Sequence, residues 1–178
     1  SKYGVLFVVS AGNNDDDLLL EVPLHTARTL SASALTPFVL AAVARDARHR
    51  LIYSPAEAMN ALTVGASYSD AALRAPAPNT RLVLDDPHLP APVSRLGLGY
   101  RRGIKPDVLA PGGRAWYRER PNGDPATTCY ARVAHERAGG QLHASPGPPT
   151  APTSHIGCSV GTSNAAALCT RQLALANE

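Results

Sequence analysis

The chain has 178 residues and a mass of 18.6 kDa, enough for one domain or for part of a larger one. Hydrophobic residues make up 44% and charged residues 17%, so a buried core is affordable and a disordered polar chain is excluded. The net charge is only +3, the basic residues are scattered and there are nine aromatics, which argues against a nucleic-acid surface with a basic stripe and interleaved rings. No apolar run, that at residues 5–9 included, approaches the roughly 20 residues of a membrane span. No signal-peptide order opens the chain, and a strand-like run begins almost at Ser1, so a fragment of a longer protein is expected. Three cysteines, Cys129, Cys158 and Cys169, cannot all pair and show no Cys-x-x-Cys spacing. Neither a disulfide framework nor a zinc site is expected, and a reducing, cytoplasmic compartment is favoured.

In chain order, Gly4-Val5-Leu6-Phe7-Val8-Val9-Ser10 is a continuous apolar run ended by Ala11-Gly12-Asn13-Asn14. This is the pattern of a strand buried on both faces, as in a parallel sheet. Asp15-Asp16-Asp17 follows, three adjacent acids that read as a solvated loop and less readily as a calcium site, since neighbours alone do not make a six- to eight-oxygen cage. Residues 37–48 read as a helix, with Pro37 in its first turn and Arg45 and Arg48 near its end. Asn60-Ala61-Leu62-Thr63-Val64-Gly65-Ala66 and Asp107-Val108-Leu109-Ala110 read as two further strands, bounded by Pro and Gly. Residues 75–103 and 112–156 are rich in Pro and Gly and read as long connections or insertions. The final segment, Asn164 to Ala176, is built of helix formers, which puts Ser163 in a first helical turn after Gly161. There a hydroxyl meets unpaired N–H groups at the positive end of the helix dipole. By itself the pattern says only that Thr162 or Ser163 caps the helix, and Asn13 by itself reads as a turn residue after Gly12. Cys169, on the same helix, reads as a small core residue.

Four blocks taken together say more: Val8-Val9-Ser10-Ala11-Gly12-Asn13, Asn60-Ala61-Leu62-Thr63-Val64-Gly65-Ala66, Lys105-Pro106-Asp107-Val108-Leu109-Ala110-Pro111-Gly112 and Gly161-Thr162-Ser163-Asn164-Ala165-Ala166. In this order they resemble the C-terminal part of the catalytic domain of subtilisin-like serine proteases, the subtilases. The resemblance implies an α/β fold of three layers with a mostly parallel sheet, incomplete in this chain, so that residues 1–178 form a partial catalytic domain. It implies a serine endopeptidase acting on peptide or protein substrates, with Ser163 as nucleophile, Asn13 as an oxyanion donor, and Ala11 and Gly12 as one wall of the pocket for the residue before the scissile bond. It implies no metal in the reaction, although many subtilases carry calcium elsewhere.

In that family the triad runs Asp, His, Ser, and the first two motifs precede the strand that bears the asparagine. Only twelve residues stand before Asn13, so both partners are expected outside the chain, and the isolated chain is expected to be nearly inactive. None of His25, His49, His88, His135, His143 and His155 has the Gly-Thr that follows the family's base; all six read as structural or solvated. After the serine motif, Ala167 and Leu168 stand where the family usually has Pro and His, and Asn164 where Met is common. A fold kept without the chemistry, as a binding module or pseudoprotease, stays open. An esterase is disfavoured, because Gly161 precedes Ser163 by two residues but Ala165 follows it by two where an elbow needs Gly. An incomplete sheet would expose apolar edges, so self-association is expected.

Overall fold

The computed structural model describes residues 5–71, 78–133, 139–145 and 155–176. Gly4, Pro76, His135 and the Pro- and Gly-rich run at residues 146–149 lie outside the described residues. The strands are β1 (Phe7–Ser10), β2 (Leu18–Leu20), β3 (Ala61–Ser67), β4 (Gly97–Leu98), β5 (Ile104–Lys105), β6 (Val108–Pro111), β7 (Tyr117–Arg120), β8 (Thr128–Arg132), β9 (Gln141–Ser145) and β10 (His155–Ser159). The helices are α1 (Leu24–Thr29), α2 (Ala32–Arg45) and α3 (Thr162–Leu175), with one 3₁₀ turn at Tyr100–Arg102.

A parallel sheet of order β1-β3-β6 organises the molecule, with Val9 opposite Thr63 and Val64 opposite Val108. The central strand β3 is buried from Thr63 to Ser67, as a strand covered on both faces should be. β1 departs from the expectation of burial on both faces: Phe7 is 62% exposed and the rest of the strand is half-buried. Among the described strands it pairs only with β3. Gly65 is required in β3 by packing. A β-carbon there would stand 2.6 Å from Pro106 Cγ and 2.8 Å from Leu109 Cδ2.

Helix α2 starts five residues before Pro37. Ser31 is its N-cap, the hydroxyl accepting from Ala34 N–H at 3.1 Å, and Leu35, Val39 and Ala42 are buried at helical spacing. The cap and this buried stripe outweigh the local penalty of a proline inside the helix. The segment 112–156 also differs from a long connection. It holds β7, β8, β9 and the start of β10: β8 pairs antiparallel with both β2 and β7, and β9 with β10. Tyr130 of β8 is fully buried opposite Leu18 of β2. Within 75–103 the described residues have little regular structure, yet Val83, Leu84, Ala91, Val93 and Ser94 are all 2% exposed or less. This connection is part of the core.

At the N-terminal end of the parallel sheet, Lys105 and Asp107 close a polar knot. Lys105 Nζ donates to Asp107 Oδ2 at 2.7 Å and to Ala61 O at 2.9 Å, and Thr63 N–H donates to the same carboxylate at 2.7 Å. Burial alone would raise the Asp107 pKa; the ammonium and the N–H outweigh it and hold the carboxyl below its usual range.

Candidate functional site

The candidate site forms at the opposite end of the same sheet, where β1 and β3 finish and α3 begins. Ala11 still donates to Val64 O at 2.9 Å, and its methyl is buried with Ile52 and Ala56. The chain then turns away at Gly12, whose φ of +93° is open to glycine and strained for other residues. Asn13 follows and is exposed.

Its amide is oriented by the start of α3. Asn13 Oδ1 accepts from Thr162 N–H at 2.9 Å and from the Thr162 hydroxyl at 3.2 Å. The Thr162 oxygen in turn accepts from Gly12 N–H at 3.1 Å. With the oxygen engaged in this way, the NH₂ group keeps both donors for another partner. Among the described residues nothing accepts from Nδ2, which lies beside Gly161: a β-carbon at that position would sit 2.8 Å from it. Gly161 is the N-cap of α3, and no side chain caps the helix. Thr162, one of the two residues read as a cap, instead spans to Asn13 and Gly12.

Ser163 is the second residue of α3 and is exposed, so its backbone N–H belongs to the first turn, which lacks intrahelical acceptors. The approach of α3 to the sheet is fixed by small residues and backbone bonds. Gly161 N–H donates to Gly112 O at 2.9 Å, and a β-carbon at Gly112 would collide with that of Ala66. Asn164 fastens the preceding strand: its Nδ2 donates to Ser159 O at 2.9 Å and its Oδ1 accepts from the Ser159 hydroxyl at 3.1 Å. Ala165 is fully buried below the site, and Cys169 is half-buried against the core, as a small core residue should be.

The structure thus brings Asn13 and the Thr162–Ser163 turn together across about 150 residues of sequence. It does not bring the described histidine side chains to the serine. His49 pairs with Asp46 at 2.6 Å, His143 Nδ1 lies 2.9 Å from Ala144 O, and among the described residues no histidine or carboxylate hydrogen-bonds the Ser163 hydroxyl. Each of the three neighbouring acids is engaged by a protein donor. Asp15 pairs with Arg132 at 2.7 Å, Asp17 with Arg120 at 2.8 Å, and Asp16 accepts from Asn14 Nδ2 at 2.9 Å. Among the described residues no group of three or more His, Cys, Asp or Glu is arranged to hold a metal ion, and no helix is long and apolar enough to cross a membrane.

Sequence reasoning missed the role of Thr162. Its signal was its place beside Ser163, but a threonine at a helix start reads first as a cap. Comparison with known proteins completes the picture. The model of the subtilase family, Peptidase_S8, matches residues 1–178, the whole chain. Neither a curated protein nor a solved structure matches it. The four ordered blocks, the parallel sheet carrying Asn13 and Ser163 at one end, and this whole-length match agree: the chain belongs to the subtilase family of serine-type proteases.

Proposed function

We propose that this chain contributes the nucleophile and the oxyanion hole of a serine endopeptidase. Ser163 Oγ attacks the scissile carbonyl and forms the acyl-enzyme, while Asn13 Nδ2 and the Ser163 backbone N–H donate to the oxygen as it becomes negative. The Ala11–Gly12 backbone forms one wall of the pocket for the preceding substrate residue. A general base and its orienting carboxylate are supplied from outside these 178 residues, because a serine hydroxyl without a base is a weak nucleophile. No metal takes part in this scheme.

The observation that carries the reading is the bond from Thr162 to Asn13 Oδ1. It turns the amide so that its two neutral donors stay available beside the first turn of α3. Neutral, fixed donors suit a charge that exists only in the transition state, because they need no reorganisation when it appears.

Labelling with a fluorophosphonate probe tests the reading in three samples: the intact parent protein, its Ser163→Ala variant and the 178-residue chain. Labelling of the intact protein alone is the expected result. A folded parent that stays unlabelled overturns the protease reading and leaves the pseudoprotease in its place.

A further inference from the structure

Asn13 lies on an exposed turn beyond the end of a strand, where a backbone drifts unless it is held. Both peptide groups flanking it are pinned by one neighbouring segment. Arg95 N–H donates to Gly12 O at 3.0 Å and Asn14 N–H donates to Val93 O at 2.8 Å, so that Asn13 bridges to Ser94 as a short antiparallel pair. The Arg95 side chain then returns to the same turn. Its Nε donates to Asn13 O at 2.9 Å.

The remaining contacts of Arg95 fix the guanidinium itself. Nη1 donates to His49 O and to Leu51 O, both at 2.9 Å, and the guanidinium carbon sits 4.5 Å from the centre of the Tyr53 ring. The aliphatic stem lies on Gly12, where a β-carbon would stand 3.0 Å from Arg95 Cδ. One side chain therefore joins the Asn13 turn, the segment after α2 and its own loop, using a planar fork of donors that lysine cannot reproduce.

We infer that Arg95 is a positioning residue for the oxyanion hole: it holds the main chain of Asn13 while Thr162 holds its side chain, and so sets where Nδ2 points. The inference rests on Asn13 being the oxyanion donor. Arg95 hydrogen-bonds neither Asn13 Nδ2 nor Ser163 among the described residues, and it reaches the site through the Gly12–Asn13 turn.

The test is a double-mutant cycle in the intact active protein, measuring kcat and KM on a peptide substrate together with Tm. Arg95→Met keeps the apolar stem and removes every side-chain donor. Arg95→Lys keeps the charge and length, and it carries the test if the Met variant does not fold. Either change is expected to lower kcat roughly 10- to 100-fold, the scale of a misplacement near 1 Å, with KM little changed. In an Asn13→Ala background the same change is expected to alter kcat by less than about twofold, since the group it positions is gone. Equal losses in both backgrounds, or a fall in Tm with kcat intact, overturn the positioning role and leave Arg95 as a loop fastener. If Asn13→Ala alone leaves kcat unchanged, the oxyanion reading fails instead, and the two failures are told apart.

Discussion

The two ends of the parallel sheet are built from similar materials and finish differently. At the N-terminal end, Lys105, Asp107, Thr63 and Ala61 satisfy one another: the ammonium has two acceptors, the carboxylate two donors, and the Lys105 side chain is 6% exposed. At the C-terminal end, Asn13 and Thr162 form an equally specific contact, yet an NH₂ group and a serine hydroxyl remain exposed beside it. In the closed network the buried Lys105 ammonium has its partners, although the Asp107 side chain is 35% exposed. The open one leaves its donors exposed at a strand terminus and a helix start, at the end of the sheet where α/β proteins collect their sites.

Breaking the open end should remove activity with little effect on stability. The largest expected effect after loss of the nucleophile is that of Asn13→Ala, a 100- to 1000-fold fall in kcat. That size is the one found for the corresponding donor in a subtilisin, a member of this family, and is carried over rather than deduced from this chain. A kcat within a few-fold of wild type would contradict the role. Thr162→Val should cost less, about tenfold in kcat, since it removes the hydroxyl's two bonds, to Asn13 Oδ1 and from Gly12 N–H, while keeping the N–H that still donates to Asn13 Oδ1. Its KM and Tm should change little, whereas a proportionate rise in KM would point to a substrate contact instead.

Breaking the closed end should do the reverse. Asp107→Asn is expected to lower stability by about 1 kcal/mol in denaturant melts, since the carboxylate is over a third exposed, with the specific activity of the folded fraction unchanged. The pH dependence sharpens the contrast. The folded pKa of Asp107 is lowered, so its contribution is full above the unfolded value of about 3.9 and is lost as pH falls through the folded value. The variant should therefore lose less stability than wild type on acidification below about pH 4. Parallel acid curves for the two proteins would show that the Lys105–Asp107 pair contributes nothing.

Much of the core pattern was legible in the residues. The run Asn60–Ala66 became β3 within one residue at each end, and Asp107–Ala110 became β6 likewise, because apolar β-formers between Pro and Gly leave few alternatives. The helix that begins after Gly161 was legible from its composition, and the blocks that hold Asn13 and Ser163 were legible from their order. The stretch that holds β7 and β8 was not. It was read, with the rest of residues 112–156, as a Pro- and Gly-rich connection or insertion, and the pairing that makes it a sheet comes from β2, over a hundred residues away. Helix α2 was read as starting late because Pro37 is a strong local signal, whereas burial of Leu35 against the core is not local at all.

By itself the sequence determined which segments could be central strands, where a helix had to begin after Gly161, and which serine and asparagine could carry chemistry. The strands and the helix follow from propensity, periodicity and turn chemistry acting within a few residues of one another, whereas the serine and asparagine were singled out only by the resemblance of their blocks to the subtilases. Only the tertiary structure decided that Thr162 turns toward Asn13 instead of capping its own helix, and that Arg95 clamps the turn behind it. Each depends on groups 80 to 150 residues apart in the chain, whose hydrogen bonds form only once the sheet and α3 have brought them within 3 Å or so.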